Sequence, residues 1–595
     1  MSILDKSDKL QRLITRAAAA ALLTSVVLAG FPAAAAAPLP ATATNQETDA
    51  QETDAQETGT QETGTQETDA QETDAQDPSQ EPLSTTRHRM EIHGESLSYT
   101  ATAGRLPLRI DGSHKANIFF VSYRRDEASI ALEDRPVTFV FNGGPGAASA
   151  YLHLGALGPQ RLVFEDDGAI PPAPARLTNN HETWLTFTDL VFIDPVGTGY
   201  SRRADGASGT RSPFWETQQD LRSLAEFIRT YLTLNNRSLS PVFLAGESYG
   251  GFRAAALADT LTTDVGVGLN GVVLISPVLE FSLMYGDDYS LLPWALLLPA
   301  YAATALAHDR ADFAEGTEDL AETLQAVEAF SLNAYLSGLA EGDRLDREAR
   351  AKLYHQIARY TGLPTDLVER YRGRIPRDVF AKQVLPNADR MVSLYDGSVA
   401  GIDPRPESAR RTGHDPVLQG LTAPLTSTLV AYVRDELGYR SDLRYELLNR
   451  AVFQAWQWRG DDQSQGYLGT ADELKAAMSL NRHLKALIAH GYYDLVTSYF
   501  ASRYVVDQMA LDPAIRGNMT LATYSGGHMF YTRSEARRRL TEDARTFYRS
   551  ATVARAHEAD HFEPAPAMGR MQAAGKHLPR LAPASDAIIA RPGPR

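Results

Sequence analysis

No cysteine occurs in the 595 residues of this chain. That absence excludes disulfides, a thiol nucleophile, cysteine-ligated zinc and a lipid-modified N-terminal cysteine. A sustained Lys/Arg stripe is missing as well, as is any interleaving of basic and aromatic residues, and nucleic acid is therefore not an expected partner. Acidic charge is plentiful but uneven. Gln46 to Ala75 carries six Glu, four Asp and no Lys or Arg, which leaves −6 for the rest of a chain whose formal charge is −16. Large apolar residues are absent from that same stretch, which consists of six pentapeptides in tandem (QETDA or QETGT). Such a segment cannot bury enough surface to offset its ordering entropy, so residues 38–84 read as a disordered acidic linker.

Ahead of it, Lys6, Lys9, Arg12 and Arg16 precede a run of small apolar residues from Ala17 to Ala37. Residues 1–37 read as an export signal with cleavage near Ala35 to Ala37, and the mature protein is expected in the periplasm or outside the cell. An uncleaved anchor is the competing reading, but Gly30, Pro32 and the many alanines make a weak span. The internal stretch LLPWALLLPAYAATALA (291–307) is short and contains Pro293 and Pro299. It predicts a helix that lines a pocket or packs under a cap, with no stable span in the mature chain.

From about Thr85 the pattern alternates as antiparallel strands do, and RPVTFVFNGGPG then runs apolar into a Gly/Pro turn. Strands and helices follow in turn. TDLVFIDPVGTG (188–199) reads as a buried strand and loop. Residues 212–232 read as a helix with Ser212 as N-cap, Pro213 at its first position, and Leu221, Leu224, Phe227, Ile228 and Tyr231 on one face. SPVFLAG is strand, YGGFRAAALADTL helix and LNGVVLISPV strand, which implies a largely parallel sheet with helices on both faces. The rhythm breaks at about Glu280 and resumes in HLKALIAHGYYD (483–494) and NMTLATYSGGHMF (518–530). The expected organisation is a core in two parts, 85–280 and 446–553, an inserted helical cap over 281–445, and a Pro/Ala-rich tail over 554–595.

G-x-S-x-G occurs at Gly246–Gly250, with the predicted strand before it and helix after it. That strand–turn–helix is the arrangement that exposes a serine Oγ above a sheet, and glycines flank the serine because side chains there would clash as the backbone reverses. A serine hydroxyl needs a base to take its proton and an acid to orient the base. Of the histidines that follow Ser248, His528 sits after a strand and two glycines. Asp494 likewise follows a strand, whereas Asp287, Asp288, Asp461 and Asp462 lack that placement. Strand ends are where sheet enzymes put reacting groups, so Ser248, Asp494 and His528 are the candidate triad. In FNGGPGAAS (141–149) the glycines leave a backbone N–H free to face a substrate oxygen.

NGGPG (142–146), FIDPVGTGYS (192–201), GESYGG (246–251), Asp494 and GGHM (526–529) stand in the order found in the serine carboxypeptidase family of α/β-hydrolases, and residues 85–550 resemble it, as a bacterial-type member. The resemblance implies an α/β-hydrolase fold, Ser248 as nucleophile, His528 as base, Asp494 as its orienter, and an oxyanion hole from the N–H groups of Gly144 and Tyr249. It implies that Asn142 and Glu247 bind the free C-terminal carboxylate of a peptide substrate, with no cofactor. The chain departs from the family where Val140 replaces a Trp, Ala147 a Cys and Ala156 a second Glu, and where no Gln separates Asp194 from Pro195. The Trp and the Glu belong to the family's carboxylate-recognition network.

Two carboxylates repel, so Glu247 is expected to bind such a substrate in its protonated form and to favour acidic pH. The same machinery could serve an esterase or acyltransferase. A third reading gives the acidic repeats a binding role. HEADH (557–561) matches a zinc-protease pattern, but it lies at the end of the last helix with no core after it, so no metal site is expected there.

Overall fold

The computed structural model describes residues 82–552 except 128–129, 207–211, 313–318, 386–388, 412 and 459–467. The predicted export signal, the acidic repeats and HEADH lie outside the described residues.

Strands β1 (Ser84–Ile92), β2 (Glu95–Ile110) and β3 (Ser113–Arg125) form an antiparallel meander at one side of the main sheet. The six remaining strands on the main path run parallel to one another, and five of them alternate buried side chains between two cores. The six are β4 (Val137–Phe141), β5 (Asp189–Ile193), β6 (Val242–Glu247), β7 (Gly271–Ile275), β8 (Lys485–Gly491) and β9 (Met519–Tyr524). Their order across the sheet is β1-β2-β3-β5-β4-β6-β7-β8-β9, with β3 antiparallel to β5 and Arg202–Arg203 pairing beside β3. This is the largely parallel α/β sheet that the alternation of strand and helix predicts.

The alternation shows why the central strands read as apolar runs. Val140, Leu190, Phe192, Phe243, Ala245 and Val273 point into one core, whereas Phe139, Val191, Leu244 and Val272 point into the other. Both faces are covered, so every position is buried. On the second face lie α1 (Thr217–Leu234) and α2 (Tyr249–Thr260), and α1 buries the expected Leu221, Leu224, Phe227, Ile228 and Tyr231 there.

Helix α1 starts later than its sequence predicts, at Thr217 with Glu216 before it rather than after Ser212. Ser212 instead closes a turn, accepting the Trp215 N–H on its carbonyl at 3.1 Å. Phe214 and Trp215 are buried in the same core as α1, and the chain turns to place both before the helix begins.

Between β7 and β8 come the helices of the predicted cap. Helix α3 (Leu292–Ala307) continues through Pro299 and buries most of its residues in a third core, shared with the helices Leu320–Phe330, Arg347–Thr361 and α4 (Arg377–Gln383). The last helix of the insertion, α5 (Pro416–Asp435), packs instead with the first core of the sheet through Leu421, Leu425 and Leu429. Among the described residues no helix is long and apolar enough to cross a membrane.

Candidate active site

Strand β6 ends at Glu247 and α2 begins at Tyr249, so Ser248 takes the whole reversal, with φ 62° and ψ −123°. A non-glycine residue held there is strained, and its surroundings must hold it. The Ser248 N–H donates to the Ile275 carbonyl at 2.9 Å, and its own carbonyl accepts from Gly251 at 2.9 Å and Phe252 at 3.3 Å. The flanking glycines are required sterically: a Cβ at Gly246 would collide with the Gly250 carbonyl, and one at Gly250 would lie 2.5 Å from the Phe141 carbonyl. Ser248 is half-buried and lines a cavity of about 520 Å³.

His528 and Asp494 follow β9 and β8 and meet at this cavity. His528 Nδ1 lies 2.8 Å from Asp494 Oδ2, and Thr497 Oγ1 lies 3.1 Å from that nitrogen and 2.8 Å from that oxygen. Asp494 Oδ1 accepts the N–H groups of Val496 at 2.8 Å and Thr497 at 3.0 Å. Burial alone would raise the Asp494 pKa and lower that of His528. Their mutual attraction outweighs burial in both, so Asp494 sits below its ordinary value and His528 above, the latter helped by Glu247. With Nδ1 directed at Asp494, Nε2 is left for the cavity. Among the described residues no hydrogen bond joins it to Ser248 Oγ, and bonds of this kind often form only with substrate present. Of the competing groups, Asp287 caps a local turn, its Oδ1 accepting from Tyr289 and Ser290 at 2.7 Å each, and His490 is paired with Ser502 Oγ at 2.8 Å.

The loop after β4 supplies the opposite wall. Asn142, Gly143, Gly144 and Tyr249 all line the cavity. A Cβ at Gly143 would collide with the Tyr249 backbone nitrogen, so this loop runs directly against the first turn of α2. Among the described residues neither the Gly144 nor the Tyr249 N–H donates to a protein acceptor. Two N–H groups so arranged are suited to an oxygen that gains charge during attack.

Glu247 is buried to 3 % exposure beside the serine. Asn142 Nδ2 donates to its Oε2, and the Tyr531 hydroxyl lies 3.0 Å from Oε1 and 2.9 Å from Oε2. Burial pushes its pKa up to about 7, against the opposing pull of His528 and of the hydrogen bonds from Tyr531 and Asn142. Near neutrality this carboxyl can therefore hold or release a proton.

Sequence reasoning missed three contributors. Tyr531 carries no motif, and its ring lies against Gly155, where a Cβ would come within 2.7 Å of it. Thr497 bridges Asp494 and His528 without any signature. Arg253 did leave a signal, as the one charge in an otherwise apolar first half of α2. It is 1 % exposed, pairs with buried Asp220 at 2.6 Å and donates to the Asn142 carbonyl at 2.6 Å, anchoring the loop. Of the departures from the family pattern, Val140 and Ala156 are both buried in the first core, Ala156 in the short helical segment His153–Leu157. Among the described residues no cluster of His, Asp and Glu is arranged to hold a metal ion.

Comparison with known proteins bears on the first half of this site. Residues 95–290 match the serine carboxypeptidase family. Pheromone-processing carboxypeptidase KEX1 of Yarrowia lipolytica is 32% identical over 202 residues, 33% of this chain and 30% of that protein. Serine carboxypeptidase-like 50 of Arabidopsis thaliana is 28% identical over 150 residues, 25% of this chain and 31% of that protein. Carboxypeptidase sxa2 of Schizosaccharomyces pombe is 27% identical over 210 residues, 33% of this chain and 37% of that protein. The chain thus spans well under half the length of these relatives. The matched segment contains Asn142, Gly144, Glu247, Ser248 and Tyr249; over it the chain is similar to the serine carboxypeptidase family, and the sheet that carries these residues is that of an α/β-hydrolase.

Proposed function

We propose that the protein is an exported serine carboxypeptidase that removes C-terminal residues from peptides. Ser248 Oγ attacks the carbonyl of the last peptide bond while its proton passes to His528 Nε2, and Asp494 holds the imidazole and balances its charge. The oxyanion is held by the N–H groups of Gly144 and Tyr249. The C–N bond then breaks, the released amino acid takes the proton from His528, and an acyl-enzyme remains on Ser248. Water, deprotonated by the same histidine, attacks the ester and frees the shortened peptide. Nothing in these steps calls for a cofactor.

The observation that carries this reading is the pair Asn142–Glu247 on the cavity wall next to Ser248. A carboxyl that can stay protonated near neutrality is a donor, and with the Asn142 side chain it suits a substrate that ends in a carboxylate. An esterase has no use for such a donor. The export reading rests on residues 1–37, which supply the basic start, apolar run and alanine-rich cleavage region of a signal.

The test offers an N-blocked dipeptide, its C-terminal amide and the corresponding ethyl ester to the wild type and to Ser248→Ala. Turnover of the free acid well above that of the amide is expected, with loss of all three activities in the variant. Equal rates on acid and amide would leave an esterase or acyltransferase using the same three residues. Unchanged turnover after removal of residues 46–75 is also expected, and a loss would instead give the acidic repeats the functional role.

A further inference from the structure

The cavity around Ser248 has an unequal charge balance. Arg377, Arg410, Arg411 and Arg450 line it, against Asp378 and Asp415 besides Glu247. Two of the arginines have an acid beside them. Arg410 donates to both oxygens of Asp378, at 2.5 and 3.2 Å, and Arg411 lies 3.7 Å from Asp415, with its Nε and Nη1 buried and without a hydrogen-bond partner. Asp415 is otherwise taken up by the Ser393 hydroxyl and by the N–H groups of Leu394, Val417 and Leu418. Arg377 has neither an ion pair nor a hydrogen bond among the described residues. Its guanidinium lies 4.9 Å from the centre of the Tyr285 ring, and its Nε is buried with no hydrogen-bond partner. A buried guanidinium N–H without an acceptor is costly, and an acceptor brought by a ligand relieves that cost.

Its position says which part of a substrate could do so. Arg377 also lines a small adjoining hollow with Val278 and Thr497, but Asn142 and Glu247 do not. The Val278 N–H reaches the Ser248 carbonyl at 3.4 Å, and Thr497 braces His528. Arg377 therefore borders the part of the cavity formed by Val278 and Thr497, which the pair proposed to hold the substrate's terminus does not share in the adjoining hollow. We infer that Arg377 is a specificity residue that receives an acidic side chain, glutamate in particular, on the residue whose carbonyl acylates Ser248. Its planar fork suits a carboxylate, and the aromatic face of Tyr285 holds the guanidinium flat for it. Asp378, occupied by Arg410, is not free to attract a basic side chain instead.

The inference rests on Ser248 as the acylated residue but not on recognition of a terminal carboxylate, so it is tested on substrates that lack one. N-blocked glutamate, glutamine and lysine α-ethyl esters are compared at pH 7.5 in the wild type, Arg377→Gln and Arg377→Glu. In the wild type kcat/KM for the glutamate ester should exceed that for the glutamine ester by about tenfold, as one charge-assisted hydrogen bond supplies. In Arg377→Gln the ratio should fall to about one, and Arg377→Glu should prefer the lysine ester. These ratios are taken within one variant, so a partly unfolded preparation does not alter them. A wild-type ratio near one, a ratio that survives Arg377→Gln, or no turnover of any ester would overturn the inference. If glutamate preference holds while free-acid and amide dipeptides tie, the carboxypeptidase reading falls and this one stands.

Discussion

Two carboxylates are buried at one site, Glu247 in the cavity wall and Asp494 behind His528, and they behave in opposite ways. Asp494 is 0 % exposed and Glu247 3 % exposed, so burial pushes both towards the protonated state. Asp494 nevertheless remains an anion below its ordinary pKa, whereas Glu247 rises to about 7. The difference lies in their partners. Asp494 receives two backbone N–H groups, the Thr497 hydroxyl and an imidazole that can carry a full positive charge. Glu247 receives only neutral donors, from Asn142 and Tyr531. Burial pushes both acids the same way, so the number and charge of their donors decide the difference between them. One region is built to keep a charge through the reaction, the other to keep a proton.

The sharpest way to break this contrast is at the permanent anion. Asp494→Asn keeps the shape but removes the charge that holds His528 in the tautomer with Nε2 free. A fall in kcat of about 10⁴-fold is expected on ester, amide and free acid alike, by analogy with triads in general. Steady-state kinetics on the three substrates check it. A loss confined to the free acid would assign Asp494 to substrate binding instead.

At the proton-holding site the expected effect is smaller and selective. On the proposed role of Glu247 as a donor to the substrate's carboxylate, the ratio of free-acid to amide turnover should rise in the wild type as pH falls through about 7, since only the protonated form donates. Glu247→Gln is a permanent neutral donor, so its ratio should stay flat. At pH 8 it should exceed the wild-type ratio by about tenfold, since one unit above its pKa a carboxyl keeps about a tenth of its protons. Stability carries the same signature. Below the unfolded-state pKa of 4.5 Glu247 is protonated whether folded or not, and pH has no effect through it. As pH rises from there to about 7, the unfolded chain releases this proton and the folded one does not, so stability falls, by about 3 kcal/mol at most, and is level above. Chemical denaturation of wild type and Glu247→Gln across that range should show the fall in the wild type only.

The sequence carried local structure far better than long-range contact. The strand, sharp turn and helix around Ser248 are legible because apolar run, glycines and amphipathic segment lie within about twenty residues. The positions of Asp494 and His528 at strand ends are legible for the same reason, although Thr497, which joins them, is not. What stayed hidden depends on distant residues meeting. Tyr531 reaches Glu247 across 284 positions, and the Arg253 contact with Asn142 spans 111. The start of α1 was misread because Ser212–Pro213 is a good local signal, whereas the burial of Phe214 and Trp215 is a tertiary demand that outweighs it. In the insertion, the same kind of helical pattern describes α3, which packs in the cap, and α5, which packs on the sheet. Only the three-dimensional arrangement distinguishes them.

Tyr531 gives the finest test of the contrast between the two acids. Its hydroxyl, nearly equidistant from both oxygens of Glu247, can donate to the carboxylate or accept from the carboxylic acid. Donation stabilises the ionised form and so holds the pKa down against burial. If donation dominates, Tyr531→Phe removes a hydrogen bond to a charged group, and the alkaline edge of the free-acid to amide ratio moves up by about one pH unit. The pH profile for the amide alone, which does not involve Glu247 as a donor, should keep its position. If the hydroxyl mainly accepts from protonated Glu247, the edge moves down instead. Glu247 would then be held as an acid by its partners as well as by burial, and neutral donors would no longer explain the difference from Asp494.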